Sequence, residues 1–391
     1  MTTTHVYIVD INTFKLHLEY QFAGTGAKDT SVDFNATSTS SLRGGAENNL
    51  ASMIADGLRI RKGDNIIFYL QSRAQDGIQE GKFYGVFQAA NDWSFLDNYG
   101  EDQYLKRELG KSLTFRTLIE PKEVYPVGVT EWEALDSIES VNKPNQMIWS
   151  LIYRKLRGNR GNTMINPYEA DRLINLIKAK NSGRTIVAPG YTFNLSNQSI
   201  ASRDNSNPYS GRKEPIDIFP RLKRKYEENK AFESHLQAYI VQNIGKGTND
   251  SLDNTVLEGS RVDWIGNEVY CGVGMQRIDI LIETTNNLSE LKIIPIELKA
   301  VEATKETVRQ INRYIEWLKQ YYLPNRVYKH LTIRPLIIGK KYSSLSNEKK
   351  LDLMNAIREN ENRSGAMIDY VEYSIKSEEL HFESVTLTSS L

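Results

Sequence analysis

The stretch VGMQRIDILIETTNNLSELKIIPIELKAVEATKETVRQINRYIEW, Val273–Trp317, decides how the rest of the chain is interpreted. It contains two runs of β-branched and aliphatic residues, Ile278–Ile282 and Ile293–Leu298, which predict two buried strands. Each run carries an acid where a buried strand usually carries an aliphatic side chain: Asp279 in the first and Glu297 in the second. These acids are the first candidates for a functional site.

The spacing around Glu297 adds a cation to the pair of acids. Side chains alternate along a strand with a period of two, so Glu297 and Lys299 share one face and Leu298 points away. A hairpin-like connection sets Asp279 beside Glu297. Converging carboxylates suit a hard cation that prefers oxygen ligands. The pattern therefore predicts a metal-dependent phosphodiesterase that uses Mg²⁺, with Mn²⁺ as a substitute.

The composition indicates a soluble, globular protein of more than one domain. The chain has 391 residues, of which 40% are hydrophobic and 25% charged, and no apolar run approaches the length of a membrane span. The N-terminus MTTTHVYIVD has no signal-peptide pattern. A single cysteine, Cys271, excludes an internal disulfide and a Cys-based zinc cluster. We expect a cytoplasmic protein without a membrane partner.

The net charge of zero argues against a strongly non-specific nucleic-acid binder, but local basic patches remain to be considered. Three patches are candidates for contact with a phosphate backbone: Arg59, Arg61 and Lys62; Arg154, Lys155, Arg157 and Arg160; and the run Arg221–Lys225. The alternative for each patch is an ordinary solvated surface.

Residues 1–140 have a mainly β pattern with an inserted helix. Strands are predicted at His5–Val9, Lys15–Tyr20, Asn65–Leu70 and Gly81–Ala89, and a helix at Asn48–Leu58. The KGD that opens the third of these strands, followed by GKFYGVF, resembles the PUA-like barrels, including the EVE base-reader domains. That resemblance implies a DNA-recognition domain with an aromatic pocket for a nucleobase, often modified and flipped. The candidate aromatics are Trp93, Phe95, Tyr99 and Trp132, and barrel core or a packed loop is the alternative for each.

Residues 141–182 have a helical pattern. The first helix, Gln146–Leu156, has apolar residues along one face. The start of a second helix is marked by a cap, a proline and a capping-box acid, Asn166, Pro167 and Glu169. The turn between the helices carries Arg157 and Arg160, which are candidates for contact with DNA phosphates. A small bundle that supports the barrel is the alternative.

Residues 183–215 and 216–391 differ sharply in composition. The first interval is rich in Ser, Asn, Gly and Pro, which predicts a linker; an ordered surface loop is the alternative. The second predicts an α/β domain with a mixed sheet flanked by helices. Its predicted helices are 226–244, 306–322 and 347–359, and its predicted strands are 261–265, 268–272, the two acid-bearing runs, 334–338, 368–375 and 379–387.

The order of motifs in this last domain resembles a known nuclease superfamily. Asp279, then Glu297-Leu298-Lys299, then Gln310 and Tyr314 within QINRY are similar to the motif of the PD-(D/E)xK nucleases and to the QxxxY element of their RecB-like branch. Residues 226–340 resemble the C-terminal nuclease domain of the NucS/EndoMS mismatch endonucleases. Glu233 matches the acid that the superfamily often supplies from its first helix. Ile278 stands where the superfamily usually has proline.

Each residue of the motif then has an expected role. We expect Asp279 and Glu297 to bind Mg²⁺, with Glu233 and the backbone carbonyl of Leu298 completing the ligand set. Lys299 orients the attacking water or stabilises the charge that develops on the phosphate. The alternative for these side chains is a buried salt-bridge network, and for Glu233 a solvated helix edge.

Four further side chains are expected at the substrate. Gln310 and Tyr314 lie one turn apart on a helix and can bond the water or the DNA backbone, with packing and capping as the alternative. Arg277 and Arg313 are candidates for phosphate contacts.

Together these resemblances imply a Type II restriction endonuclease with an N-terminal recognition domain and a C-terminal cleavage domain. The expected substrate is double-stranded DNA. We also expect a homodimer on DNA, because cutting both strands requires two active sites. One alternative is a mismatch or branched-DNA repair endonuclease of the NucS type. Another is a catalytically silent DNA-binding protein that reads modified bases.

Overall fold

A computed structural model of the chain describes residues 2–26, 44–97, 102–135, 161–230, 232–271, 276–325, 330–365 and 367–385. Within these ranges the chain divides into two compact units. The first contains residues 2–26 and 52–217, and the second contains residues 44–51 and 218–385. Each unit has a sheet with both parallel and antiparallel pairs and helices around it, which confirms the expected mixed α/β class.

The first unit is built on one sheet of short strands. Its strands are β1 (Thr4–Val9), β2 (Phe22–Thr25), β3 (Asn65–Leu70), β4 (Lys82–Ala89), β5 (Phe95–Leu96), β6 (Phe115–Pro121), β7 (Val129–Thr130) and β8 (Asn162–Ile165). The main order is β2-β6-β4-β3-β1-β8, while β5 pairs with β6 and β7 with β4. The central pair β1–β3 is parallel, and the other pairs are antiparallel.

Helices and a hairpin cover this sheet. The helices are α1 (Ile11–Tyr20), α2 (Gly44–Leu58, of which residues 52–58 belong to this unit), α3 (Lys106–Leu109), α4 (Glu131–Leu135) and α5 (Pro167–Lys180). Alternate residues of β3 belong to two different core clusters, Phe68 to one with Phe14 of α1 and Tyr69 to another with Leu173 of α5. Both faces of the sheet are therefore covered, which explains why β3 reads NIIFYL, an almost unbroken apolar run.

Asp64, the last residue of the KGD sequence, fixes the start of the two central strands. Its carboxylate accepts hydrogen bonds from the backbone N–H groups of Thr3 (3.1 Å) and Arg61 (2.9 Å) and lies 2.9 Å from Nε2 of His5. The neighbouring Arg59 is buried and pairs with Asp56 at 3.1 Å. The predicted basic patch at 59–62 is therefore wrong for Arg59, which is an interior residue of this unit.

One predicted strand of the first unit is a helix. Residues 15–20 belong to α1, which begins after Asp10, and the Asp10 side chain caps it by accepting a bond from the Thr13 N–H at 2.8 Å. The predicted strands at 5–9, 65–70 and 81–89 and the helix at 48–58 are confirmed within a few residues by β1, β3, β4 and α2.

The predicted linker also differs from the structure. Residues 190–203 form a hairpin of β9 (Gly190–Asn194) and β10 (Ser199–Arg203). Tyr191, Phe193 and Ile200 of this hairpin are buried in the core of the first unit. The interval therefore belongs to a folded domain, and the division between the units falls after Asp217.

The helical pattern at 141–182 is described in part. Helix α5 begins as expected, with Asn166 as the cap, Pro167 inside it and Glu169 completing a capping box. The predicted helix Gln146–Leu156 and the turn residues Arg157 and Arg160 lie outside the described residues.

The second unit has a mixed sheet with a central acid-bearing strand. Its strands are β11 (Arg261–Tyr270), β12 (Arg277–Thr285), β13 (Leu291–Lys299), β14 (Leu331–Ile333), β15 (Leu336–Lys340), β16 (Asp369–Lys376) and β17 (Glu379–Ser384). The order is β11-β12-β13-β15-β16-β17, with β14 also pairing with β13. The first three strands are an antiparallel meander, β13, β15 and β16 are parallel, and β17 is antiparallel.

Five helices flank this sheet in the described part of the second unit: α6 (Phe219–Glu227), α7 (Glu233–Asn243), α8 (Asp250–Val256), α9 (Lys305–Trp317) and α10 (Asn347–Ser364). The prediction of a single helix at 226–244 is wrong. Two helices, α6 and α7, cover this range, and the helical conformation is interrupted between them, where Asn229 has a left-handed backbone (φ 52°). As a result Glu233 is the first residue of α7. The strands predicted at 261–265 and 268–272 are one strand, β11.

Among the described helices, none is both long enough and apolar enough to cross a membrane.

Candidate active site

The hairpin of β12 and β13 places Asp279 next to Glu297. The ladder between these strands ends at the pair Ile280–Ile296. Asp279 and Glu297 are the next residues on their strands, so their side chains leave the same face of the sheet. Beyond the ladder, the Leu298 N–H donates to Oδ2 of Asp279 at 2.7 Å. One oxygen of the Asp279 carboxylate is thereby fixed at the point where the strands stop pairing.

The Glu297 carboxyl group is buried, and the Asp279 carboxyl group beside it is half-buried. The Glu297 side chain is 1% exposed, and burial raises its pKa. Burial also raises the pKa of Asp279 well above its ordinary value, and the neighbouring Glu297 raises it further. Both groups are therefore harder to ionise than ordinary carboxyl groups.

Lys299 is the cation of this cluster. Its Nζ lies 2.5 Å from Oε1 of Glu297 and 3.8 Å from Oε1 of Glu233. Burial alone lowers the pKa of Lys299, but Glu297, Glu233 and Asp279 outweigh that effect and raise it. The ammonium therefore stays charged at neutral pH. Glu233 is half exposed, at 49%, and reaches the cluster from the start of α7.

Helix α9 contacts Glu297 through Tyr314. The Tyr314 hydroxyl lies 2.8 Å from Oε2 of Glu297 and 2.7 Å from the backbone oxygen of Arg277, and it accepts a bond from Nε2 of Gln310 at 2.8 Å. Burial, followed by the charge of Glu297, raises the pKa of Tyr314. The hydroxyl therefore keeps its proton and acts as a donor. Gln310 and Tyr314 are four residues apart, which puts them on one face of the helix.

Gln237 is a site residue that the sequence did not reveal. Its Nε2 donates to the backbone oxygen of Asp279 at 2.8 Å, and its Oε1 accepts from Nδ2 of Asn267 at 3.4 Å. This bond supports the end of β12 where its ladder to β13 has stopped. Two features could have identified Gln237 as a site residue. It lies one helical turn after Glu233, and its buried amide stands within an apolar helix face.

The two arginines predicted at the site differ in their surroundings. Arg277 pairs with Glu268 at 3.1 Å and lies over the ring of Tyr270, 5.2 Å from its centroid. Arg313 is exposed on α9. The Cys271 thiol lies near Glu297 and near Arg313. Burial, followed by the negative charge of Glu297, raises the pKa of the thiol to about 12, while the positive charge of Arg313 opposes this rise.

The donor set suits a divalent cation in its chemistry, although its present arrangement is not that of a formed site. Among the described residues, no group of three or more His, Cys, Asp or Glu side chains is placed to hold a metal ion. Asp279 and Glu297 are hard oxygen donors, and burial, more than any neighbouring charge, raises the pKa of both carboxyl groups. Glu233 and the Leu298 carbonyl are the further oxygens available beside them.

The aromatic residues predicted as a base pocket have different surroundings in the described part of the chain. Phe95 is buried in the first unit, with its ring centroid 5.4 Å from that of Tyr209, as expected for core. Trp132 is 66% exposed on α4. Trp93 is partly buried and has a left-handed backbone (φ 58°), and Tyr99 lies outside the described residues. Phe95 is therefore not free to stack on a base.

No protein-family model matches this chain, and no curated protein matches its sequence. A functional assignment therefore depends on the geometry of the cluster of Asp279, Glu297, Lys299 and Glu233.

Proposed function

We propose that this protein is a Mg²⁺-dependent endodeoxyribonuclease of the PD-(D/E)xK type that cuts double-stranded DNA, and that it acts as a Type II restriction endonuclease. The observation that carries the proposal is the pair of neighbouring acids, half-buried Asp279 and buried Glu297, with Lys299 between Glu297 and Glu233. Mn²⁺ is expected to replace Mg²⁺, because both ions suit oxygen ligands.

The order of elements supports this proposal. Helix α7 supplies Glu233, the meander β11–β13 supplies Asp279 and Glu297, helix α9 supplies Gln310 and Tyr314, and β15 then pairs in parallel with β13. The sequence pattern of residues 216–391 predicted the same order of helix, antiparallel strands, helix and strand in the domain that resembles the PD-(D/E)xK superfamily.

The raised carboxyl pKa values favour a functional site over a structural ion-pair network. A carboxylate that a salt bridge stabilises has a lowered pKa. Asp279 and Glu297 show the opposite shift, since burial and mutual repulsion outweigh the nearby Lys299. Strongly perturbed groups of this kind concentrate at functional sites.

The residues of the cluster have separable tasks in phosphodiester hydrolysis. Asp279, Glu297 and Glu233 would hold the Mg²⁺, which when bound supplies positive charge to the scissile phosphate and makes water a better nucleophile. The charged Lys299 stabilises negative charge that develops on the phosphate oxygens. Tyr314 and Gln310 fix the rotamer of Glu297, and Gln237 fixes the backbone of Asp279.

In this proposal the first unit supplies sequence recognition, as the resemblance of its KGD and GKFYGVF segments to PUA-like base readers implies. Its separate core supports a module distinct from the cutting unit. Cutting both strands requires two copies of the cluster, so the working form on DNA is a homodimer.

Cleavage of defined DNA in Mg²⁺ tests the proposal and separates it from its alternatives. The substrates are supercoiled plasmid, unmodified and methylated, and a short duplex with and without a mismatch. Discrete plasmid fragments support a restriction endonuclease. Cleavage of the mismatched duplex alone identifies a repair nuclease of the NucS type. Binding without cleavage on every substrate contradicts the nuclease and favours a reader of modified bases.

A further inference from the structure

A polar groove runs between α9 and α10 in the second unit. It has a volume of about 270 Å³, and the cations Lys305, Arg309 and Arg363 line it. Its acid is Glu359, and its floor includes Asn312 and Asn360, whose side chains are hydrogen-bonded to each other. Val308 and Ala356 complete the lining, which therefore has an excess of positive charge.

The three cations of the groove are available to an outside anion. Lys305, Arg309 and Arg363 are exposed, and within the described part of the chain none of them forms a salt bridge. Glu306, next to Lys305, is held at the helix start, where a hydrogen bond from Thr304 lowers its pKa before the nearby cations contribute. Unpaired guanidinium and ammonium groups on neighbouring helices suit a chain of phosphates.

The groove shares a helix with the candidate active site. Lys305, Arg309 and Arg313 are spaced by four residues, so they form one stripe with steps of roughly 6 Å along the helix axis. Tyr314, the next residue after Arg313, contacts Glu297 on the adjoining face. The stripe and the contact to Glu297 therefore lie on adjoining faces of one helix.

We propose that this groove holds the phosphodiester backbone of the DNA next to the bond that is cut. The inference rests on the proposed nuclease function and adds where the substrate lies. Three cations against one acid in the lining favour a polyanion as the occupant. The extended polyanion of the substrate matches both the charge and the direction of the stripe.

Metal-free DNA binding tests the groove separately from cleavage. The triple variant Lys305→Gln, Arg309→Gln, Arg363→Gln is compared with the wild type by fluorescence anisotropy on a duplex, in chelator, over a range of salt concentrations. Each lost phosphate contact reduces the slope of log Kd against log salt by about 0.9, so the triple variant is expected to lose about 2.7. Affinity at low salt is expected to fall at least about tenfold.

A matched control removes the same charge from cations that are already paired. Lys292, Lys341 and Lys350 lie 2.8, 3.5 and 2.6 Å from Glu258, Glu383 and Glu372, and their triple change to Gln is expected to leave the slope nearly unchanged. If the groove variant melts early, the single change Arg309→Gln, with an expected slope loss of about 0.9, replaces it. Arg309→Lys keeps the charge and is expected to keep the slope.

The outcomes distinguish the groove from the function. If the groove variant has an unchanged slope and affinity, the proposal that the groove binds DNA is overturned. Cleavage by the wild type would still support the proposed nuclease function. Equal losses in both triples also overturn it, because any surface cation would then serve. A wild type that neither binds nor cuts DNA overturns both proposals.

Discussion

The Tyr314 hydroxyl lies 2.8 Å from Oε2 of Glu297, seventeen residues earlier in the chain. The other oxygen of this carboxylate lies 2.5 Å from Nζ of Lys299. Glu297 is therefore held at both oxygens before any substrate arrives, by a neutral donor from α9 and a cation from its own strand. Such support orients a prospective metal ligand and tunes its basicity.

Tyr314→Phe tests this support. The change removes the hydroxyl that bonds Glu297 and receives Gln310 but keeps the ring, so we expect DNA cleavage to fall about 10- to 100-fold with the fold intact. The measurement is the single-turnover cleavage rate in saturating Mg²⁺. Tyr322→Phe is the matched control, because the buried Tyr322 hydroxyl bonds Glu283 elsewhere on the sheet. Equal rates for wild type and Tyr314→Phe would show that the bond has no role in catalysis.

Asp279→Asn tests whether the acids are a functional site or structural support. Because burial raises the pKa of Asp279, the folded protein holds this proton more tightly than the unfolded chain does. Stability therefore falls as pH rises from the unfolded pKa through the raised folded pKa, and the full cost is present above it. Asparagine carries no charge and can still accept from the Leu298 N–H.

Without metal, we therefore expect the Tm of Asp279→Asn to exceed that of the wild type at pH 8. At about pH 4 the two Tm values are expected to match, because the side chain at position 279 is then neutral in both folded proteins. Each kcal/mol of relieved repulsion corresponds to about 2–4 °C in Tm. Added Mg²⁺ is expected to raise the Tm of the wild type and not that of the variant. A lower Tm for Asp279→Asn at pH 8 would identify Asp279 as a structural partner.

The affinity for Mg²⁺ is expected to depend on pH beyond the ordinary carboxyl range. Asp279 and Glu297 must lose their protons to bind the ion, and burial raises the pKa of both. Affinity should therefore keep rising with pH above about 4, the usual range for these groups. Isothermal titration in two buffers of different ionisation enthalpy detects the protons released. Binding that is independent of pH and releases no protons would rule out these carboxyl groups as ligands.

Gln237→Met tests the backbone bond to Asp279. Methionine fills the space without donating to the Asp279 oxygen, so the end of β12 loses a fixed position. We expect the Mg²⁺ concentration for half-maximal cleavage to rise about tenfold, with the maximal rate largely restored at saturation. Asn243→Ala is the control, since Asn243 on the same helix also donates to a backbone oxygen, that of Tyr239 at 2.8 Å. The same Mg²⁺ dependence in wild type and Gln237→Met would contradict the positioning role.

The sequence was sufficient for the central hairpin because its information is local. Strand period and two misplaced acids are enough to predict that Asp279 and Glu297 share a face, and the structure has them at matching positions beyond the last ladder pair. The bond from Gln310 to Tyr314 likewise follows from helical spacing. Gln237 depends on how α7 packs against β12, which a periodic pattern does not contain.

The errors have equally specific causes. The buried face of α1 includes the polar residues Thr13 and His17. Because these residues are polar, the apolar pattern that remained was the alternation of Leu16 and Leu18, which is typical of a strand. The predicted linker is a hairpin whose few aromatic residues, Tyr191 and Phe193, are buried. Because Ser and Asn dominate the composition of this interval, composition alone predicted a linker. The break before Glu233 depends on a left-handed Asn229, which composition does not reveal.

Mg²⁺-dependent cleavage by Asp279→Asn, compared with Asp263→Asn, tests the nuclease most directly. Asp263 is an acid on the neighbouring strand that pairs with Arg261 at 2.8 Å, so its change controls for loss of a carboxylate from the same sheet. We predict that the wild type and Asp263→Asn cut plasmid DNA, while Asp279→Asn binds it without cutting. Cleavage by Asp279→Asn at the wild-type rate would contradict the assignment of this cluster as the active site.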